Sequence, residues 1–180
     1  MKKADIVVIG GSAAGLTAVI NSRLHYPGKS IMMVRREERV LIPCGIPYIF
    51  GTLGSCDKNL IPDTGLEKNG VDLLVDEVTG IHREEKVVKT AAGHEVGYDR
   101  LVIATGSEPV MPRIPGYDKE GVFFVKKDVP YLDGMLEALS KAKSLVIVGG
   151  GFIGVEFAEE CKKNRDIDIK IVEMLPHCCS

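Results

Sequence analysis

Three stretches of this sequence carry residue types and spacings that could do chemistry. Two are glycine-rich turns, Gly10-Gly11-Ser12-Ala13-Ala14-Gly15 and Gly149-Gly150-Gly151-Phe152-Ile153-Gly154; each follows a short apolar run, Asp5 to Ile9 and Ser144 to Val148. In a strand-turn-helix setting, the first glycine allows a tight bend, a small third residue lets the backbone approach a pyrophosphate, and the last glycine lets helix and strand pack closely. The helix N-terminus then turns its positive dipole end to the phosphates. Ser12 stands where a middle glycine is usual, and it is small enough to serve and can itself donate to phosphate. Two such turns in one chain imply two dinucleotides, and two dinucleotides imply electron transfer between them. The third stretch is Pro43-Cys44-Gly45-Ile46-Pro47-Tyr48, in which proline and glycine hold a thiol at a fixed turn. If Cys44 opens a helix, the dipole favours a thiolate nucleophile. A buried structural cysteine is the alternative, and the local residues do not separate the two.

An acidic residue normally ends the second strand of such a unit, where it binds the adenosine ribose. After the first turn that place holds Arg35-Arg36, which could read a 2′-phosphate or lie along the cofactor's phosphates. After the second turn it holds Glu173, a ribose ligand or else a solvated strand end. A carboxylate there repels a 2′-phosphate and favours NADH over NADPH, and no arginine follows in Met174-Leu175-Pro176 to offset it.

The elements that must position these residues follow from periodicity. Residues 6–9 and 31–34 read as buried parallel strands flanking a helix over 13–25, a βαβ unit. A loop-rich stretch, 35–63, is punctuated by Pro43, Gly45, Pro47, Gly51 and Gly54. A short helix at 66–69, strands at 71–75, 78–82 and 86–90 and a buried strand at 101–104 come next. Pro109, Pro112, Pro115 and Gly116 mark a boundary. Beyond it lie a helix over 129–141, a strand over 144–148, a helix over 152–164 and a strand over 168–172. The expected fold is α/β: a Rossmann-type dinucleotide-binding domain with a small antiparallel β insertion over 1–115, then the first βαβ unit of a second Rossmann-type dinucleotide-binding domain over 116–180. That second unit reads as incomplete, so the chain is expected to be part of a longer protein or to borrow surface from another copy.

The composition excludes several classes. With 180 residues, 45% of them hydrophobic, and a formal charge of −2, the chain lacks the basic excess of a nucleic-acid binder. The apolar run after Met1-Lys2-Lys3 is too short for a signal peptide or a membrane span, and a cytoplasmic protein is expected. Cys44, Cys56, Cys161, Cys178 and Cys179 form neither an even disulfide framework nor a paired Cys-x-x-Cys metal pattern, so free thiols and no metal are expected.

Taken with Ala104-Thr105-Gly106-Ser107-Glu108-Pro109 and Val155-Glu156, these motifs resemble the flavin-dependent pyridine nucleotide-disulfide oxidoreductases, and within them the single-cysteine branch of coenzyme A disulfide reductases, NADH oxidases and NADH peroxidases. The resemblance runs over essentially the whole chain. It implies FAD at Gly10, Ser12, Ala13, Ala14 and Gly15, with Arg35, the backbone of Val78, Thr105 and Gly106 beside it. It implies NADH at Gly149, Gly151, Phe152, Ile153, Gly154 and Glu173, with Phe152 gating the nicotinamide and Glu156 near the flavin. Cys44 becomes the redox centre, as a sulfenic acid or a mixed disulfide with coenzyme A; Ile49, five residues on, leaves no partner for an internal disulfide. Arg23 and Lys68 match cations near the phosphates of coenzyme A. The oxidases and peroxidases carry a histidine where Ala13 stands, which tilts the resemblance towards reduction of a small disulfide or persulfide rather than oxygen or peroxide. A homodimer or other homo-oligomer is implied, and this chain alone is expected to be catalytically incomplete.

Overall fold

A computed structural model describes residues 1–179. The chain forms two compact units, one of residues 1–40 and 61–107, the other of residues 41–60 and 108–180. The division expected at 115/116 was drawn between nucleotide-binding domains; compactness divides the chain differently, because the excursion 41–60 packs with the later residues.

The first unit is built on strands β1 (Lys2–Ile9), β2 (Ile31–Arg35), β3 (Asp72–Val75), β4 (Val78–His82), β5 (Val87–Thr90) and β6 (Glu95–Ile103), with helix α1 (Ala13–His25) between β1 and β2. A short helical segment, α2 (Ile46–Tyr48), belongs to the excursion, and α3 (Thr64–Lys68) precedes β3. The sheet order is β3-β2-β1-β6-β5-β4, with β3, β2, β1 and β6 mutually parallel and β5 and β4 antiparallel. Continuous apolar runs in β1 and β2 reflect burial on both faces. Ile6, Val8, Ile31 and Met33 pack with Val19 of α1, while Val7, Ile9, Met32 and Val34 pack with Val88, Val96 and Tyr98. This two-sided packing fixes the register of the β1 end, where the first glycine turn begins. The strand expected at 101–104 is longer: β6 starts at Glu95, pairing with β1 from Lys2↔Val96 to Ile9↔Ile103 and with β5 at Val87↔Gly97.

The second unit holds α4 (Val129–Lys141), β7 (Ser144–Val148), α5 (Phe152–Lys162) and β8 (Asp168–Val172). Asp128 caps α4 by accepting from the Tyr131 N–H at 2.8 Å, with Pro130 in the first turn. β7 and β8 pair in parallel from Ser144↔Asp168 to Val148↔Val172. One face of this ribbon packs Leu145, Ile147 and Ile169 onto the core of Leu132, Phe157 and Cys161. The other face leaves Val146, Val148 and Val172 exposed.

Candidate functional site

The first turn is shaped by close approaches that only glycine permits. Gly10 has φ +109°, donates to the Val34 carbonyl at 2.8 Å, and stands so near the Ala104 carbonyl that a Cβ would collide with it. Ala104 in turn donates to Ile9 at 2.8 Å, so the residues just past β6, Ala104 and Thr105, lie against the turn, and Gly106 follows at φ +72°. A Cβ on Gly15 would strike the Gly10 carbonyl, and one on Gly11 would strike the aliphatic stem of Arg35. Ser12 caps α1 in an extended conformation, but its hydroxyl is buried and has no hydrogen-bond partner. Ala13 and Ala14 are exposed, and the first turn of α1 carries no acidic residue. A buried orphan hydroxyl costs about 1–3 kcal/mol, and the first N–H groups of a helix also lack intrahelical partners. The residues therefore fit the phosphates of a dinucleotide. Val78 begins β4 opposite Thr90.

Two of the expected cations have partners within the protein. Arg35 is buried, and its guanidinium donates to both carboxylate oxygens of Asp63 (2.5 and 2.8 Å) and to the carbonyls of Glu37 (2.8 Å) and Glu38 (2.9 Å). Its donors tie down the segment after β2, so Arg35 is a structural cross-link. Arg23, expected at coenzyme A, donates to the carbonyls of Asn69 (2.7 Å), Pro27 (2.8 Å), Lys29 (2.8 Å) and Gly70 (3.0 Å). It fastens the end of α1 to the turn before β3. Lys68 is exposed on α3.

The second turn repeats the first. Gly149 has φ +108° and donates to Val172 at 2.9 Å, and a Cβ on Gly154 would strike the Gly149 carbonyl. Gly151 caps α5 without a side chain, and Phe152, Ile153 and Glu156 are exposed. Glu173 is not a merely solvated strand end: one carboxylate oxygen accepts from Gly150 N–H at 2.5 Å and the other from Leu175 N–H at 2.8 Å. The Leu175 and Gly150 N–H groups hold its carboxyl below the usual carboxylate range. It is thus an ionised acceptor fixed beneath the turn, the disposition a ribose ligand needs.

Cys44 lies in a stretch that is helical in three successive pitches rather than the irregular loop expected: a 3₁₀ turn at Pro43–Gly45, α2, and a π turn at Ile49–Leu53 that ends at left-handed Gly54. Its thiol is free and exposed. Two residues that no local motif announces hold this stretch. Asn59, 2% exposed, donates from Nδ2 to the Ile42 carbonyl at 2.9 Å and accepts from the Ile42 N–H at 2.9 Å, and its carboxamide occupies the space a Cβ of Gly45 would need. Glu160 of α5, 3% exposed, accepts from the Thr52 N–H at 2.7 Å, the Thr52 hydroxyl at 3.1 Å and the Lys163 ammonium at 2.5 Å. Arg165 donates to the Phe50 carbonyl, and the rings of Phe50 and Phe157 meet at 5.1 Å. Nearby Cys161 is buried, which pushes its thiol up to about 11. Among the described residues no group of His, Cys, Asp and Glu is placed to hold a metal ion, and no helix is long and apolar enough to cross a membrane.

Residues 4–180 match the family described as pyridine nucleotide-disulphide oxidoreductase. An NADH oxidase of Methanocaldococcus jannaschii is 34% identical over 94% of this chain and 40% of its own length. An NAD(P)H coenzyme A polysulfide/persulfide reductase of Pyrococcus horikoshii is 34% identical over 88% of this chain and 37% of its own. The solved NAD-dependent persulfide reductase from A. fulgidus superposes with a TM-score of 0.87 at 34% identity, over 97% of this chain and 35% of that one. The chain thus spans about two fifths of the length of these relatives. The family matches almost the whole sequence, residues 4–180: the chain belongs to the pyridine nucleotide-disulphide oxidoreductase family, whose members are FAD-dependent NAD(P)H oxidoreductases.

Proposed function

We propose that this chain is the N-terminal portion of an enzyme that takes two electrons from NADH and delivers them to Cys44, reducing a low-molecular-weight disulfide or persulfide such as coenzyme A disulfide. The observation that carries the reading is the state of Cys44. It is a free, exposed thiol in a held turn, while Ile49, five residues on, is fully buried and Cys56 is buried too, so no thiol of its own segment stands ready to pair with it. Disulfide exchange at Cys44 then requires an external sulfur. The Cys44 thiolate attacks one sulfur of the substrate disulfide, the S–S bond breaks, one thiolate leaves and takes a proton, and a mixed disulfide remains. Two electrons and a second proton release the other thiol and restore Cys44.

FAD, when bound, supplies the two-electron relay between nicotinamide and sulfur. Gly10, Ser12, Ala13, Ala14 and Gly15 would hold it, with Ser12 donating its unpartnered hydroxyl to a phosphate and Thr105, Gly106 and the Val78 backbone alongside. Gly149, Gly151, Phe152, Ile153 and Gly154 would receive NADH, and Glu173 would accept from its ribose hydroxyls and repel the extra phosphate of NADPH. Glu156 would lie near the flavin, and Arg23 and exposed Lys68 are the candidates for the phosphates of coenzyme A. Exposed thiols at Cys44, Cys178 and Cys179 suit the reducing cytoplasm. The working enzyme is a homo-oligomer in this reading.

The similarity to the M. jannaschii NADH oxidase favours a second reading, in which Cys44 cycles through sulfenic acid while oxygen or peroxide is reduced. Ala13 supplies no imidazole for that chemistry. The test is Cys44→Ser in the full-length enzyme, assayed with NADH against coenzyme A disulfide, oxygen, peroxide and an artificial dye. Disulfide reduction should disappear while reduction of the dye continues. Full retention of disulfide reduction would remove Cys44 from the reaction, and a wild-type enzyme that reduces only oxygen or peroxide would establish the second reading.

A further inference from the structure

We infer that Asn59 is a positioning residue for Cys44, setting the orientation of the thiol by clamping the residues on either side of it. The inference rests on the assignment of Cys44 as the reacting thiol. Its geometry is independent of any cofactor.

The clamp has three parts. The Ile42 carbonyl, two residues before Cys44, accepts both the Asn59 Nδ2 donor at 2.9 Å and the Gly45 N–H at 3.0 Å, so both of its lone pairs are used. The Ile42 N–H donates to the Asn59 carbonyl at 2.9 Å, and the neighbouring Leu41↔Leu60 bridge extends this pairing by one step. On the far side of the thiol, the Asn59 carboxamide lies where Gly45 would carry a Cβ. One buried side chain therefore touches the residues at −2 and +1 from Cys44 while the thiol between them faces solvent.

A side chain kept only for stability would have cheaper forms. A buried carboxamide must have its polar atoms satisfied, and an apolar residue of similar volume avoids that cost. What an apolar residue cannot do is hold the carbonyl before Pro43 and seat a planar group against Gly45. Those two constraints fix the backbone on both sides of Cys44. A nucleophilic sulfur must lie in line with the bond it attacks, and small errors in such placement cost large factors in rate. Glu160 provides the contrast within the same stretch. It anchors Thr52, eight residues further on, through hydrogen bonds that touch neither neighbour of Cys44.

The experiment compares Asn59→Ala, Asn59→Asp and Glu160→Gln. Amide hydrogen exchange on the purified chain reads the clamp itself. Asn59→Ala should speed exchange at Ile42 and Gly45 about tenfold or more and leave β1 amides unchanged, whereas Glu160→Gln should speed exchange near Thr52 and spare Gly45. Asn59→Asp, which keeps the volume and loses the Nδ2 donor, guards against a variant that fails to fold and should fall between. Gly45→Ala supplies a second check. Alone it should reproduce the Asn59→Ala exchange pattern, and on the Asn59→Ala background it should add little, because the space is already vacated. In the full-length holoenzyme, Asn59→Ala should lower kcat for the sulfur substrate tenfold or more with dye reduction by NADH within twofold. Unchanged exchange at Ile42 and Gly45, additive effects of Gly45→Ala and Asn59→Ala, or a parallel fall of both turnover rates would each overturn the inference. If Cys44→Ser leaves disulfide reduction intact, the assignment of the thiol is what fails, and the exchange results still report the clamp.

Discussion

Replacing Glu160 by glutamine tests the anchor between α5 and the Cys44 stretch, and its size can be worked from the geometry. The carboxylate accepts from the Thr52 N–H, the Thr52 hydroxyl and the Lys163 ammonium, with the Glu160 side chain 4% exposed and that of Lys163 39% exposed. Hydrogen bonds to a charged group are worth about 1.5–3 kcal/mol and neutral ones about 1. Lys163, more than a third exposed, regains hydration when its partner loses charge, so its bond is discounted. The two bonds to Thr52 remain, and weakening them should cost roughly 2 kcal/mol. At a urea m-value of about 2 kcal/mol per molar, the midpoint should fall by about 1 M. The chain has no tryptophan, so far-UV circular dichroism is the suitable probe. The pH dependence adds a signature. Burial acts to raise the Glu160 carboxyl, but the Lys163 ammonium and the Thr52 donors outweigh it and hold the group below its ordinary value of 4.5. The folded state thus binds the proton less readily than the unfolded state. The contribution is fully present above that ordinary value and is lost as pH falls through the lowered one. The gap between wild type and Glu160→Gln should stay constant from about pH 8 to about 5.5 and narrow as pH falls below the ordinary value and through the lowered one. Equal midpoints at neutral pH, or a gap that survives undiminished in acid, would refute the reasoning.

Other substitutions separate structural from binding roles. Arg35→Met keeps the apolar stem under Gly11 and discards the pair with Asp63, so it should lower stability by about 2–3 kcal/mol while flavin affinity in a titration changes less than twofold; a large loss of affinity with full stability would restore a phosphate role. Gly10→Ala forces a Cβ onto the Ala104 carbonyl at a φ of +109° and should yield protein without bound flavin, seen as loss of the yellow absorbance. Iodoacetamide at about pH 8 should modify Cys44 and leave Cys161 untouched, since burial both hides that thiol and pushes it up to about 11; peptide mapping that finds Cys161 labelled in the native chain would contradict the packing around Phe157.

Elements driven by local pattern were legible in the sequence, and those driven by distant partners were not. The unbroken run Ile6 to Ile9 and the spacing over 13–25 announce β1 and α1, because burial on both faces of a parallel sheet leaves no room for a polar residue. β6 is hidden at its start, where Gly97, Asp99 and Arg100 break the apolar run; pairing to β1 on one side and β5 on the other carries the strand through them. The Cys44 stretch reads as a loop because of Pro43, Pro47 and Gly51. The two prolines occupy first-turn positions, where a helix has no need of their missing N–H, and Gly51 answers to the space taken by Glu160. The partnerships Asn59 with Ile42 and Glu160 with Thr52 span 17 and 108 residues, and nothing local signals either.

The two glycine turns share a backbone and diverge in what lies beneath it. In each, the first glycine sits at φ near +109°, donates to a valine at the end of the neighbouring strand, Val34 or Val172, and is met by the glycine five residues on. The residue after that valine then faces the second glycine of the turn: Arg35 under Gly11, Glu173 under Gly150. Equivalent places therefore carry opposite charges, and the surroundings account for each. Arg35 is paired with Asp63, so its charge is balanced inside the unit. Glu173 accepts from two backbone N–H groups, which carry no charge and leave its full negative charge in place. In the proposed reading an acidic ribose anchor stands at the second turn and is absent from the corresponding place in the first, where recognition would come from the Ser12 hydroxyl, the helix N–H groups and the Ala104–Gly106 backbone. The physical consequence is an asymmetry in selectivity. Glu173→Ala should relax discrimination between NADH and NADPH at the second turn, while no substitution of Arg35 can exchange one dinucleotide for another at the first.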